Sequence, residues 1–140
     1  MPIRVETRAR ALALQLLYAW DQAADERADP RALWAAICAA RGTGPRVEER
    51  ALDLAGAVLA GRHRFDATLQ AAADNWRIER LAVVDRNVLR IALAELELGA
   101  APAKVVIDEA IRLARWFGAA RSPAFVNGIL DRVARERGRL

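Results

Sequence analysis

The stretch that decides the fold is residues 101–135, which reads APAKVVIDEAIRLARWFGAARSPAFVNGILDRVAR. It predicts two helices joined by a short turn. Pro102 suits the start of a helix, where its missing N–H costs no hydrogen bond. Apolar residues then recur along one helical face, at Val106, Ala110, Leu113 and Phe117. Gly118 follows where a left-handed residue can end the helix.

The second helix is predicted to begin at Ser122-Pro123, as N-cap and first helical residue. Its inward face carries Phe125, Ile129 and Val133. The pair Asn127-Gly128 is out of place, because a glycine inside a helix costs about 1 kcal/mol relative to alanine. Two explanations stay open: tight helix packing over Gly128, or a binding surface at residues 125–128.

Outside this stretch, 3.6-residue periodicity predicts five further helices. Their expected limits are about 7–22, 29–41, 47–60, 66–73 and 83–98. Thr7, Asp29 and Asp66 are the predicted N-caps. The helix at 83–98 is apolar over a wide arc and should lie at the centre of the core. We therefore predict an all-α fold: a single compact bundle of about seven helices, forming one domain over residues 1–140.

The chain is basic, with a formal net charge of +4 and a sequence pI near 10.4. Lys104 is its only lysine, so nearly all of the positive charge is arginine. Arginine presents a planar fork that suits phosphate, which favours an acidic or nucleic-acid partner. A genomic bias toward arginine would give the same composition.

The first predicted helix has an outward stripe that could serve recognition or only face solvent. The stripe follows helical spacing and consists of Arg8, Ala11, Gln15, Tyr18 and Gln22.

Residue counts argue against an enzyme. The chain has one serine (Ser122), one histidine (His63) and one cysteine (Cys38), too few for a nucleophilic triad or a His/Cys metal site. No phosphate-binding glycine motif occurs, and we expect no cofactor and no metal. No signal peptide or membrane-length apolar run is present, so we expect a cytoplasmic protein.

Three blocks of the sequence, at 7–21, 76–96 and 102–130, resemble the NusB family of bacterial transcription antitermination factors. The most specific are K-V-V-I-D-E-A from Lys104 and F-V-N-G from Phe125. The resemblance implies a seven-helix bundle that binds boxA, a single-stranded leader RNA element of ribosomal RNA operons. It also implies a heterodimer with the ribosomal protein NusE, delivered to the RNA polymerase antitermination complex.

Matching positions carry the family's functions onto this chain. Those implied for RNA are Arg4, Arg8, Arg10, Gln15, Arg121, Phe125 and Asn127. Those implied for NusE are Tyr18, Asp85, Arg86 and Lys104. The family's N-terminal arginines are usually denser, so this arm would make fewer phosphate contacts. Arg121 stands where an acidic residue is common, which would restore some attraction.

Two other functions are compatible with the resemblance. The same fold forms the N-terminal RNA-binding domain of some ribosomal RNA cytosine methyltransferases, which applies only if this sequence is a fragment. The chain could also be a protein-only adaptor whose partner alone binds RNA. Without NusE, the partner surface could form a homodimer.

Overall fold

The computed structural model describes residues 3–23 and 29–140. This part of the chain contains seven α-helices and one short 3-10 turn, Ile78–Arg80, and no strand. The helices are α1 (Val5–Ala23), α2 (Pro30–Arg41), α3 (Pro45–Ala60), α4 (Arg62–Ala72), α5 (Val83–Leu98), α6 (Ala103–Phe117) and α7 (Ser122–Glu136). The predicted all-α bundle is confirmed. Among these helices, none is long and apolar enough to cross a membrane.

Helix α5 lies at the centre, as predicted, and packs against α1, α3, α4, α6 and α7. Every side chain from Asn87 to Ala94 is buried, so the helix is surrounded on all sides. Burying a leucine or isoleucine side chain contributes about 1.5–3 kcal/mol, and Leu89, Ile91 and Leu93 each lie within this segment. Helices α5 and α6 are joined by only a few residues and pack against each other.

Two polar side chains of α5 are buried and satisfied. The guanidinium of Arg90 donates from Nε and Nη2 to both carboxylate oxygens of Asp66 at 2.8 Å, and from Nη1 to Asn87. Asn87 in turn donates to Asp21 at 2.7 Å. Asp66 is therefore not the helix cap that the sequence predicted. Helix α4 begins at Arg62, and Asp66 lies inside it as the partner of a buried arginine.

Two other predicted caps are also wrong. Helix α1 begins at Val5, and the hydroxyl of Thr7 is buried and donates to the carboxylate of Glu109. Ser122 is the first residue of α7, and its Oγ accepts from the backbone N–H of Ala119 at 2.9 Å, on the side of the preceding turn. The prediction of Asp29 as an N-cap is confirmed, because its side chain accepts a hydrogen bond from the N–H of Arg31 and Pro30 is the first helical residue.

The glycines of the C-terminal stretch have different roles from those expected. Gly118 has φ −93° and ψ −170°, an extended conformation rather than the predicted left-handed one. A Cβ at Gly118 would lie 2.6 Å from Ser122 Oγ and 2.7 Å from the carbonyl oxygen of Ala114. Gly128 is exposed, and a Cβ there would meet no atom within 4 Å. Close helix packing therefore does not explain Gly128.

We expect opposite effects from alanine at these two glycines. Gly118→Ala should destabilise the protein by about 1–3 kcal/mol, because the added methyl overlaps a carbonyl and the serine that accepts from Ala119. Gly128→Ala, at an exposed helix interior, should stabilise by up to about 1 kcal/mol. Urea unfolding of both variants measures this, and a Gly118→Ala protein as stable as the wild type would contradict the steric argument.

Candidate nucleic-acid interface

The N-terminal end of α1 presents two arginines to solvent. Arg4 and Arg8 are both exposed and lie one helical turn apart, with the N–H of Arg8 donating to the Arg4 carbonyl. The Arg8 guanidinium makes one long contact, 3.4 Å to the backbone oxygen of Thr43. Both side chains therefore place positive charge in solvent at this end of the bundle.

Arg10 differs from its neighbours. Only 8% of its surface is exposed, and its guanidinium donates to both oxygens of Glu95 at 2.6 and 2.7 Å. Glu109 lies 3.8 Å away on the other side. Burial opposes the charged form, but hydrogen bonding and attraction to Glu95, together with Glu109, outweigh it and raise the pKa of Arg10. In this structure the guanidinium of Arg10 is paired with carboxylates, which does not agree with the expected contact to an RNA phosphate.

Gln15 and Tyr18 border a cavity of about 350 Å³ between α1, α2, α5 and α6. The Gln15 Oε1 is buried and has no hydrogen-bond partner among residues 3–23 and 29–140, whereas Tyr18 is 47% exposed. An unpaired buried acceptor costs about 1–3 kcal/mol, so such groups are typical of sites that a ligand or water completes. The remaining walls are mostly apolar, formed by Leu14, Ala19, Ile37, Arg41, Val84 and Phe117.

The end of α6 contributes a second aromatic side chain to this face. Phe117 was predicted to be part of the buried stripe, but it is 41% exposed and lies at the cavity edge. From Phe117 the chain passes through a short turn that carries the exposed Arg121 and then enters α7. The cavity and this turn connect the α1 residues with the F-V-N-G block.

In that block, Phe125 is half-buried and Asn127 is exposed. The ring of Phe125 meets Trp76 edge to face, with centroids 5.9 Å apart and an interplanar angle of 77°. Trp76 is 58% exposed. Trp76 lies in the connection between α4 and the 3-10 turn. Trp76 and Phe125 are far apart in the sequence, so the pattern could not predict their contact. The one sequence signal for a role of Trp76 was a large aromatic residue in a polar loop.

Three of the four residues implied for a protein partner cluster at one end of the bundle. Val84 lines the same cavity as Tyr18, and Asp85 and Arg86 follow it at the start of α5. Within the described residues, Asp85 Oδ1 and Arg86 Nε are buried without hydrogen-bond partners, and Arg86 Nη2 lies 3.8 Å from Asp21 Oδ1. Lys104 is exposed at the start of α6, next to the other end of α5. At 1.5 Å per residue, it stands about 20 Å from Asp85.

Comparison with known proteins gives one consistent family. The family model described as NusB matches residues 7–135. The chain is similar to the transcription antitermination protein NusB of Anaeromyxobacter dehalogenans, with 44% identity over 133 residues, covering 91% of this chain and 89% of the relative. It is also similar to that of Geobacter sulfurreducens, with 41% identity over 126 residues, covering 89% and 90% of the two chains.

Solved structures agree on the fold. T. maritima NusB superposes with a TM-score of 0.84 at 33% identity, covering 97% of this chain and 94% of that one. A second structure contains the antitermination factors NusB and NusE in complex with double-stranded RNA. It superposes with a TM-score of 0.83, covering 96% of this chain and 99% of that one, and at 24% identity it supports the fold alone.

Truncation to alanine should change the stability of the protein at only one of the two arginines of α1. Arg10→Ala should lower the free energy of unfolding by about 3–5 kcal/mol, because it leaves Glu95 and Glu109 without their buried counter-charge. Arg8→Ala, on the exposed side of the same helix, should change it by less than about 0.5 kcal/mol. Urea unfolding at neutral pH measures both; equal stabilities would show that the buried ion pair contributes nothing.

Proposed function

The chain belongs to the NusB family, and on that premise we propose that it is a transcription antitermination factor that binds single-stranded boxA RNA in ribosomal RNA leaders. It does so as a heterodimer with the ribosomal protein NusE, and it carries the RNA to the RNA polymerase antitermination complex in the cytoplasm. Residues 1–140 act as one RNA-binding domain. The observation that carries the proposal is the family match across residues 7–135, which includes both α1 and the α6–α7 turn.

The proposed RNA surface combines cations with an aromatic ring. Single-stranded RNA is held by arginine–phosphate contacts and by bases that stack on aromatic or guanidinium planes. We assign phosphate contacts to Arg4, Arg8 and Arg121, a polar base contact to Gln15, and stacking to Phe125, with Asn127 beside it. The exposure of Arg4, Arg8, Arg121 and Asn127 supports this assignment. Arg10 is left out because its guanidinium pairs with Glu95.

The proposed NusE surface is the end of the bundle formed by Tyr18, Asp85 and Arg86. The 47% exposure of Tyr18 supports it, as does the position of Asp85 and Arg86 directly after Val84, which lines the same cavity as Tyr18. Lys104 stands apart from these residues and would reach only a second region of the partner. A homodimer through the same surface in the absence of NusE stays part of the proposal.

We propose no catalytic activity. Within the described residues, no group of three or more His, Cys, Asp or Glu side chains could hold a metal ion. Cys38 is buried, and burial raises the pKa of its thiol, which disfavours the nucleophilic thiolate. The methyltransferase-domain alternative lacks a comparable observation, since the relatives matched over about nine-tenths of their length carry the antitermination name.

A direct titration tests the function. A boxA-like oligoribonucleotide, a scrambled one of equal length and a double-stranded hairpin are titrated with the chain, with and without NusE. We expect preference for boxA and tighter binding with NusE. Equal affinity for boxA and scrambled RNA would overturn the proposal, and binding only with NusE present would favour the adaptor alternative. With three phosphates contacted, log K should fall with log salt concentration at a slope of about −2.

The stacking role of Phe125 has its own test. Phe125→Ala should weaken boxA binding by about 1–3 kcal/mol if a base stacks on the ring. Because the ring also packs on Trp76, the unfolding free energy of each variant is measured in parallel. Phe125→Tyr, which keeps a stacking surface, serves as the matched control. A Phe125→Ala protein that binds RNA normally, with only its stability reduced, would make the ring structural.

A further inference from the structure

Helix α6 ends in an exposed aromatic residue that the proposed function does not use. Trp116 is 45% exposed, and it lies outside the buried face of α6. Its ring meets that of Phe117 edge to face, with centroids 6.4 Å apart and an interplanar angle of 85°. An exposed aromatic pair of this kind on a monomer surface marks a contact site more often than a packing need.

Positive charge surrounds this tryptophan. The Arg112 guanidinium carbon lies 5.8 Å from the centroid of the Trp116 ring, one helical turn earlier on the same face. Half of the Arg112 side chain is exposed, and within the described part of the chain its ion-pair contact is a long one of 3.9 Å to Glu109. Arg115 and Arg121, on either side of Trp116 along the chain, are also exposed. Cations around an aromatic ring favour an anionic, aromatic ligand over an apolar protein segment.

The position of Trp116 is continuous with the proposed RNA surface. Phe117 lines the cavity of Gln15 and Tyr18, and the α6–α7 turn leads on to Phe125. Two Trp–Phe pairs therefore flank the turn that carries Arg121: Trp116–Phe117 before it and Trp76–Phe125 after it. An arginine flanked by two aromatic pairs, each with an exposed tryptophan, has the composition of a single-strand groove, in which phosphates and bases alternate.

We propose that Trp116, together with Arg112, is a second stacking position for an unpaired base of the same RNA. It extends the site from the α6–α7 turn along the exposed side of α6. The inference rests on the proposed function, because it assigns a further part of the same ligand. It implies that RNA longer than the core element gains affinity through nucleotides that flank it.

The test uses two RNAs: a boxA-like core oligonucleotide, and the same core with four unpaired nucleotides added at each end. Wild-type chain should bind the extended RNA more tightly. Trp116→Ala should weaken extended-RNA binding by about 5- to 100-fold and remove most of the gain over the core. Trp116→Phe should retain most of the affinity, and Arg112→Gln should show a smaller loss. Leu98→Ala is the control, since Leu98 is 65% exposed at the far end of α5.

Fluorescence gives a readout that a purely structural role would not produce. RNA stacked on Trp116 should quench the wild-type protein more than Trp116→Phe. Trp76 packs on Phe125 in the proposed RNA surface and is present in both proteins, so the difference between the two quenching curves reports on Trp116. If Trp116→Ala binds extended RNA within twofold of the wild type, the inference is overturned. If Trp116→Ala instead weakens only NusE binding, Trp116 contacts protein and the inference is again wrong. Failure of the wild type to prefer boxA would count against the proposed function itself.

Discussion

Three helices of this bundle meet at one buried guanidinium. Arg10 of α1 pairs with Glu95 of α5 and lies beside Glu109 of α6, which also accepts from Thr7. Charges removed from water are costly unless each has a partner in good geometry. The arrangement therefore permits one rotation and one register of α1 against the α5–α6 pair. That rotation leaves Arg8 and Tyr18 on the outside.

The other end of α5 is held in a similar way. Arg90 pairs with Asp66 of α4, and Asn87 joins Arg90 to Asp21 near the end of α1. Apolar burial supplies most of the stability of the bundle, but it tolerates small shifts of one helix along another. Two polar clusters at opposite ends of the central helix do not tolerate such shifts. The candidate interface, which draws residues from α1, α6 and α7, depends on that fixed geometry.

The sequence was most informative where the chain marks its own boundaries. Pro30 and Gly42 bracket α2, and the limits of α5 match the expected 83–98, because these signals depend only on local backbone preferences. It was least informative where a polar side chain had a choice of partner. Thr7 and Asp66 have the chemistry of helix caps, yet both bond to side chains distant in sequence. Helical periodicity places Arg8 and Arg10 on different faces of α1. It cannot show that Arg10 forms an ion pair with Glu95, which lies far away in the sequence. The Trp76–Phe125 contact was invisible for the same reason.

The single lysine has a consequence for how the protein can be modified. Lys104 is exposed at the start of α6, about 20 Å from the end of the bundle that carries Asp85. The cations of the candidate interface, Arg4, Arg8 and Arg121, are all arginines. Acetylation acts on amines and leaves guanidinium groups unchanged. Apart from the amino terminus, acylation would thus neutralise the charge of Lys104 and leave the charges of Arg4, Arg8 and Arg121 unchanged.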